Sequence, residues 1–391
     1  MSSVSEDQAA PALGGIGAQR ALFEIPDDVA YFNTSAISPM LVAVREAGEA
    51  ALAFRARPWR VTATDWFDDV ERLRERLGRL LHVPADGVAL IPATSYGLAV
   101  AARNLTAGPG DQVVVLADEY PSNHYTWQRF CTRTGAELVV TEREAGGSWG
   151  EAVLGQVSER TAVVAVPAVH WTNGALVDLE AVGAAARAAG AALVVDASQS
   201  LGALPFDATE LAPDFVVSVG YKWLLGPFGL GCLYVAEEHR DGEPLEENWI
   251  NRQGSEDFAA LVDYTDRYRP GARRFDVGQR NHFELVPMAI AALDQLLAWS
   301  VEAVAAALGV VTGEIGRRAS GLGFRVPPDG ERGSHMFGID LPREVARRLD
   351  AELAPRGVIA GVRGDSLRLA PHLHVIEGDI DRLIDGLAAA L

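Results

Sequence analysis

One lysine stands where lysine is seldom found, between two apolar runs that each have the pattern of a buried strand. Lys222 lies in the stretch VVSVGYKWLLGPFGLGCLYV, after the run Phe215–Val219 and before the run 230–235. Lysine is almost never fully buried unless it is paired. The position therefore predicts either a solvated turn or an amine that the protein itself uses.

Three further apolar runs end in residues that could face a ligand. Asp196 ends the run ALVVD, where a carboxylate is costly to bury unless it is paired, although it could also cap a helix. Tyr120 follows VVVLA and could stack on a planar ligand or pack in the core. His170 follows AVVAV and is either a site residue or a structural histidine.

A predicted helix start after the run VALI suggests a place for an anion. Thr94 and Ser95 supply hydroxyl groups there, and the free N–H groups of a helix N-terminus suit a phosphate. The alternative is an ordinary Ser/Thr cap.

The elements that position these residues alternate along the middle of the chain. Strands are predicted at 88–91, 113–117, 162–166, 192–197, 215–219 and 230–235. Helices are predicted at 41–55 and 65–81, from about 95, from about 123, and between an N-cap at Asp178 and a stop at Gly190. This α/β pattern predicts a mostly parallel sheet with helices on both faces, and ligands of such sheets bind beyond the carboxyl ends of the strands.

Together these residues describe a ligand that is flat, anionic at one end, basic at a ring nitrogen and able to bond an amine. Pyridoxal 5'-phosphate (PLP) meets each requirement, because its phosphate fits the helix start and its ring nitrogen can pair with Asp196. Its aldehyde forms a Schiff base with a lysine. Lys222 is therefore predicted to be the cofactor lysine.

The composition disfavours several other classes of protein. The formal net charge is -19, which argues against nucleic acid or an anionic membrane as a partner. Cys131 and Cys232 form no CxxC pair, so neither a thiolate zinc site nor a disulfide framework is expected. Without a signal peptide or a long apolar run, the chain is expected to be soluble and cytoplasmic.

Three regions are expected along the chain. Residues 1–20 are predicted to be disordered, 21–290 to form a large PLP-binding domain, and 291–391 to form a small α+β domain on which the segment 21–60 packs. One long helix is predicted at 287–308, and later strands near HMFGIDL and SLRLAP.

The motifs VVDASQSLGALPFD and VGYKWLLGPFGLGCLYV resemble the class V aminotransferase group of fold-type I PLP enzymes. RFDVGQRNHFELVPMAIAALDQLLAW and SLRLAPHLHVIEGDIDRLIDGL support this resemblance, which extends from about Tyr31 to the C-terminus. The group includes cysteine desulfurases, kynureninases and isopenicillin N epimerase-like proteins, and EYPSNHYTW and RFDVG are most similar to the last branch. The resemblance implies a mostly parallel seven-stranded sheet between helices, with a small C-terminal α+β domain.

The resemblance also implies a role for each site residue. Lys222 and Asp196 are the catalytic pair. Cofactor contacts are implied for Thr94, Ser95, Tyr120, His170, Asp196, Gln199, Tyr221, Lys222, Gly278 and Gln279. Asn33 and Ser35 line the substrate pocket, and Arg368 binds the substrate carboxylate, for which a bidentate guanidinium is well suited. Arg368 could instead be a surface arginine paired with Asp365 or Glu377.

The function implied is PLP-dependent chemistry on the α-amino group of an amino acid, through the aldimine of Lys222. An aminotransferase or an epimerase is the first expectation. The alternative is a lyase or a kynureninase-like hydrolase that cleaves a side-chain bond, and a non-enzymatic binding protein is disfavoured because Lys222, Asp196 and Arg368 are all present. A homodimer with shared active sites is expected, with Gly278 and Gln279 near the neighbouring cofactor phosphate.

Overall fold

The central feature of the computed structural model, which describes residues 16–144 and 146–391, is a seven-stranded sheet. Its strands are β2 (Val88–Ile91), β3 (Gln112–Leu116), β4 (Glu137–Thr141), β5 (Thr161–Pro167), β6 (Ala192–Asp196), β7 (Phe215–Val219) and β8 (Gly231–Val235). Their spatial order is β2-β8-β7-β6-β5-β3-β4. β8 runs antiparallel to both neighbours, and the other pairs are parallel. The predicted mostly parallel sheet is confirmed.

Helices cover both faces of this sheet. The helices of the described residues are α1 (Val42–Arg55), α2 (Asp68–Leu81), α3 (Thr94–Asn104), α4 (Pro121–Thr134), α5 (Trp149–Leu154), α6 (Leu179–Ala189), α7 (Ala208–Leu211), α8 (Leu285–Trp299), α9 (Val301–Gly321), α10 (Arg343–Leu353) and α11 (Glu377–Ala390). The last two, α10 and α11, pack in the C-terminal unit and not on this sheet. α6 begins and ends as predicted, since Asp178 accepts a hydrogen bond from the N–H of Ala181 and Gly190 adopts φ 71°. Strand residues alternate between two apolar clusters, one on each face of the sheet.

Two expectations about individual elements need correction. The run ELVVT, for which no strand was predicted, forms β4 at the sheet edge, where the strand is only partly buried. The single helix predicted at 287–308 is two helices, because Ser300 takes φ 63° between α8 and α9. Its side chain then accepts a hydrogen bond from the N–H of Ala303 and starts the second helix.

Among the described residues, no single helix has the length and apolar character needed to cross a membrane. The pair α8 and α9 passes that test only when both are taken together, across a bend of 77°.

The C-terminal part is a smaller α+β unit with its own apolar cluster. It contains β9 (Phe337–Asp340), β10 (Val358–Ile359), β11 (Gly361–Arg363) and β12 (Ser366–Leu369). β12 lies between β11 and β9 and is antiparallel to both. The N-terminal strand β1 (Ala30–Tyr31) pairs with β10, so the start of the described chain joins this unit. Residues 1–15 of the segment predicted to be disordered lie outside the described residues.

Candidate active site

The carboxyl ends of the parallel strands bring together the residues that sequence reasoning singled out. Lys222 follows β7, Asp196 ends β6, and Tyr120 follows β3. Lys222 is 7% exposed, so it lies inside the protein and not on a solvated turn. Its Nζ atom is 5.4 Å from the centre of the Tyr120 ring and 5.9 Å from that of Tyr221.

The Lys222 amine loses its proton more readily than an ordinary lysine does. Burial lowers its pKa to about 8, and the positive charges of Arg368 and Arg363 act in the same direction. The negative charge of Asp196 opposes this shift. The amine can therefore lose its proton readily, as a nucleophile or a general base must.

Asp196 is a buried carboxyl group that makes no ion pair with any described residue. One oxygen, Oδ1, accepts a hydrogen bond of 2.9 Å from the N–H of Ser198. Burial raises the pKa of Asp196, and the bond from Ser198 and the charge of Lys222 partly offset the effect. Such a group gains most from a cationic partner, which a protonated ring nitrogen would supply.

Gln199 is held at both ends of its side-chain amide. Its Nε2 donates to the backbone oxygen of Ser35 at 3.0 Å, and its Oε1 accepts from Trp223 Nε1 at 2.9 Å. It therefore connects the predicted substrate segment to the residue that follows Lys222.

The start of α3 offers the expected surroundings for a phosphate. Thr94 is buried and shares a hydrogen bond of 3.0 Å with the Ser198 hydroxyl, while Ser95 is exposed. Gly97 allows the helix to approach the sheet, since a Cβ there would lie 2.6 Å from the side chain of Val217. α3 thus begins directly beside the strand that leads to Lys222.

The other predicted phosphate contacts lie at or near the surface. Tyr221 is half-buried, and burial raises the pKa of its hydroxyl. The N–H of Gly278 donates to Glu246 Oε1 at 2.7 Å, and Gln279 is exposed. Within one subunit, therefore, Gly278 already has a partner and Gln279 faces outward.

Tyr120 is presented by a sharp turn after β3. Asp118 adopts φ 51°, a left-handed conformation that Asp tolerates better than most residues. Its carbonyl accepts a hydrogen bond of 2.7 Å from Trp171 Nε1, and the Trp171 and Tyr120 rings meet edge to face at 5.6 Å. The tyrosine ring is therefore held under Lys222 by contacts within the protein.

His170 has contacts typical of a structural histidine. Its ring stacks on Trp149, with 5.0 Å between centres. Nε2 lies 3.1 Å from the Ala117 carbonyl oxygen and Nδ1 lies 2.8 Å from the Thr172 hydroxyl. Both ring nitrogens are thus engaged within the protein, and its predicted contact with the cofactor stays a prediction.

Arg368 is 1% exposed and has no carboxylate partner among the described residues. Its Nη1 donates to the backbone oxygen of Trp171 at 2.7 Å, and Nη2 lies 3.5 Å from Asn33 Oδ1. Its Nε has no described partner. The surface alternative, pairing with Asp365 or Glu377, is wrong. Burial instead lowers the pKa of Arg368 to about 10, with a smaller contribution from the charge of Arg363.

The segment after β1 approaches the same region. Asn33 bridges to Ala370, directly after β12, and Ser35 is buried with no described partner for its hydroxyl. Asn33 and Ser35 therefore lie between Arg368 and Gln199, where the sequence placed a substrate pocket.

Two ionisable residues of the site, Glu119 and Arg363, were not predicted from the sequence. Glu119 is buried beside Tyr120, whose N–H donates to Oε1 at 2.6 Å, while Oε2 has no described partner. Burial and the charge of Asp196 raise the pKa of Glu119 to about 8. Arg363 on β11 adds positive charge near Lys222 and Arg368. In the sequence, Glu119 directly precedes Tyr120 and Arg363 lies five residues before Arg368. These positions beside predicted site residues were the only indications that the sequence offered.

Comparison with known proteins identifies related chains. A family model described as "Aminotransferase class-V" matches residues 40–307. The "Uncharacterized aminotransferase YcbU" of Bacillus subtilis is 28% identical over 83% of this chain and 86% of its own. A kynureninase of Deinococcus radiodurans is 28% identical over 95% of this chain and 92% of its own. A solved structure of a C-DES mutant, with glycine covalently linked to its PLP cofactor, has a TM-score of 0.84 and 18% identity, and the match covers 94% and 98% of the two chains.

Proposed function

The chain belongs to the class V aminotransferase family of PLP-dependent enzymes, and from that premise we propose that it acts on the α-amino group of an amino acid. The observation that carries this proposal is Arg368. A buried guanidinium group without a carboxylate partner, close enough to lower the pKa of Lys222, suits a substrate that carries a carboxylate beside its amine.

The residues present fit the PLP cofactor. Asp196 is a buried carboxyl group without an ion-pair partner among the described residues, Lys222 is a buried amine above the Tyr120 ring, and α3 begins at Thr94. When bound, PLP supplies an electron-withdrawing ring that acidifies the Cα–H of an amino acid.

Each proposed role follows from the properties of the side chain. Asp196 keeps the ring nitrogen protonated, because an ionised carboxylate in a buried place favours a cationic partner. Lys222, with its pKa near 8, accepts the Cα proton. Arg368 holds the substrate carboxylate and so aims the Cα–H at Lys222. Asn33 and Ser35 are proposed to border the substrate, between Arg368 and Gln199.

We propose an aminotransferase or an epimerase as the first reaction class. Desulfuration through a cysteine persulfide is disfavoured, because Cys131 on α4 and Cys232 in β8 are both buried. Burial raises the pKa of their thiols to about 11 and about 12, which opposes thiolate formation.

A lyase or kynureninase-like hydrolase is the second candidate. The kynureninase of Deinococcus radiodurans matches nearly the whole chain, and this similarity supports testing the chain for hydrolysis of a side-chain bond.

Product analysis separates these candidates. The holoprotein would be incubated with a panel of L- and D-amino acids including kynurenine, with and without a keto-acid acceptor, and products identified by mass spectrometry and chiral chromatography. A keto acid formed only with the acceptor supports transamination, inversion supports epimerisation, and a shortened side chain supports the second candidate. The proposal would be overturned if no amino acid in the panel lost its Cα proton.

We also propose a homodimer with shared active sites. Large apolar side chains are exposed at Trp59, Val262 and Tyr264, of which Tyr264 is 94% exposed. Trp66 contacts the exposed Phe258 and also Phe283, which follows Gly278 and Gln279 closely in sequence. Sedimentation at assay concentration tests the proposal, and a fully active monomer would exclude it. The predicted cytoplasmic location stays a prediction.

A further inference from the structure

A buried histidine connects the C-terminal unit to the Lys222 region. His335 is fully buried in the segment before β9. Its Nε2 atom lies 2.5 Å from the backbone oxygen of Gln199, and its ring meets the indole of Trp223 edge to face at 4.4 Å between centres. One side chain therefore contacts both the loop after Asp196 and the residue that follows Lys222.

The surroundings of His335 fix which of its nitrogens carries the proton. A carbonyl oxygen only accepts hydrogen bonds, so Nε2 must be the donor. Burial lowers the pKa of His335 to about 4, so the ring is neutral at physiological pH and Nδ1 is unprotonated. Nδ1 has no described partner and faces Gly333, where a Cβ would lie 2.9 Å away. The ring thus has a single hydrogen-bond donor, and it is directed at Gln199.

Gln199 is constrained at three polar groups as a result. His335 holds its backbone oxygen, while Ser35 and Trp223 hold the two ends of its side-chain amide. Loss of the His335 hydrogen bond would free the backbone oxygen of Gln199, and loss of the ring as well would remove the contact with the Trp223 indole. Both lie directly beside residues proposed to contact the cofactor.

The same segment leads to the arginine of the site. The chain runs from His335 into β9, which pairs with β12, and Gly338 lies opposite Arg368 in that pair. His335 is thus attached to the strands that carry Arg368 and hydrogen-bonded to the loop next to Lys222.

We propose that His335 is a positioning residue that sets the placement of Arg368 relative to Lys222 by holding Gln199 and Trp223. The part that concerns Arg368 rests on the proposed amino-acid substrate, whereas the part that concerns Lys222 rests on the family's PLP cofactor alone. In this proposal His335 acts through Gln199 and Trp223, the residues that it contacts, and not by binding a ligand itself.

The test compares three variants of the full chain. H335F keeps a planar ring without a donor, and H335Q keeps a donor near the position of Nε2. H374F is the matched control, because His374 is also buried and its Nε2 lies 2.8 Å from a backbone oxygen, that of Tyr31. For each variant we would measure the PLP dissociation constant, the pH midpoint of the bound-cofactor absorbance, kcat, KM and the thermal midpoint.

We expect H335F to raise the PLP dissociation constant about fivefold to tenfold, the effect of one lost hydrogen bond. The absorbance midpoint should shift, kcat should fall and KM should rise. H335Q should restore the dissociation constant to within about threefold of wild type, and H374F should lower only the thermal midpoint.

If H335F changes only the thermal midpoint, as H374F does, His335 is merely structural and the proposal is wrong. The cofactor measurements need no substrate, so a failure to find an amino-acid substrate would not obscure this result. Should H335F not fold, H335N replaces it, because the shorter amide keeps polarity in the cavity but does not reach the Gln199 oxygen.

Discussion

The proposed cofactor end of the candidate site is lined by acidic groups and the proposed substrate end by basic groups. At the cofactor end, Asp196 and Glu119 are buried carboxyl groups that form no ion pair within the described part of the chain. At the substrate end, Arg368 is buried without a carboxylate and Arg363 is half-buried close to it. Lys222 lies between the two ends, and the charges of both affect it: Asp196 raises the pKa of the amine, and Arg368 and Arg363 lower it.

This difference indicates the direction in which a ligand binds. Unpaired buried charges cost free energy, and they are retained where a ligand completes the pairing. The acidic end suits a protonated ring nitrogen, and the basic end suits a carboxylate. The amine of Lys222 would then meet the reacting carbon between the two ends, which is where a group that forms and breaks bonds must lie.

The largest expected effect is at the junction of the two ends. Lys222→Ala removes the amine that we propose as both the cofactor-bonding group and the general base, so we expect turnover to fall by about 10⁴-fold or more. The thermal midpoint should change little, because the alanine removes a poorly solvated amine. Borohydride reduction of wild-type holoprotein and peptide mapping should place the pyridoxyl group on Lys222, and a label on another lysine would contradict the assignment.

The second largest effect on turnover is expected at the acidic end of the site. Asp196→Ala should reduce turnover by about 10²-fold or more, the cost of about 3 kcal/mol when a charge-stabilising group is lost. PLP should still bind, because the contacts at the start of α3 remain. Asp196→Asn is the matched control, since it keeps the shape without the charge and should be almost as damaging. Near wild-type turnover by the asparagine variant would show that the charge has no role.

The two ends also differ in how far the sequence predicted them. Asp196 ends one apolar run of strand length and Lys222 follows another closely. The apolar runs predict the strands, and the carboxyl ends of parallel strands meet at one edge of the sheet, so these two facts suffice to bring the residues together. Arg368 depends on contacts with Trp171 and Asn33, which lie 197 and 335 residues away in sequence. No local pattern encodes such contacts, and only the similarity of the SLRLAP segment to a known family pointed to it.

The errors in predicting helices and strands arose in the same way, because local sequence patterns do not encode the contacts and conformations that decide these elements. β4 is a half-buried edge strand whose short run was too weak a signal, and the break at Ser300 depends on one residue entering a left-handed conformation. The raised pKa of Glu119 depends on burial and on a neighbouring carboxylate from another strand, neither of which its own sequence context specifies.

At the basic end, Arg368→Ala should raise KM for amino-acid substrates while leaving the resting cofactor spectrum nearly unchanged. Loss of a buried partner for the substrate carboxylate should cost roughly 2–4 kcal/mol. Arg363→Ala provides the comparison and should cost about 1 kcal/mol or less, because that guanidinium is more exposed. Equal effects of the two substitutions on KM would mean that the carboxylate is shared between them, and wild-type KM in Arg368→Ala would place it elsewhere.

The smallest effect on turnover is expected from a substitution within the acidic end. Glu119 is a buried carboxyl group beside Asp196, and its raised pKa of about 8 means that it is mostly protonated at neutral pH. Glu119→Gln copies that neutral form, so turnover at neutral pH should stay within about threefold of wild type. Glu119→Ala leaves a cavity and is the control for lost packing.

The pH dependence of stability provides the sharper measurement on the same residue. The pKa of Glu119 is higher in the folded state, near 8, than its ordinary value of 4.5, so the unfolded chain releases this proton first as pH rises. Wild type should therefore lose stability relative to Glu119→Gln by about 1.4 kcal/mol per pH unit between these two values, and the difference should level off above the higher one. Denaturant unfolding of both proteins at several pH values tests this. A difference that does not change with pH would mean that Glu119 is ionised beside Asp196, and that the acidic end holds two negative charges instead of one.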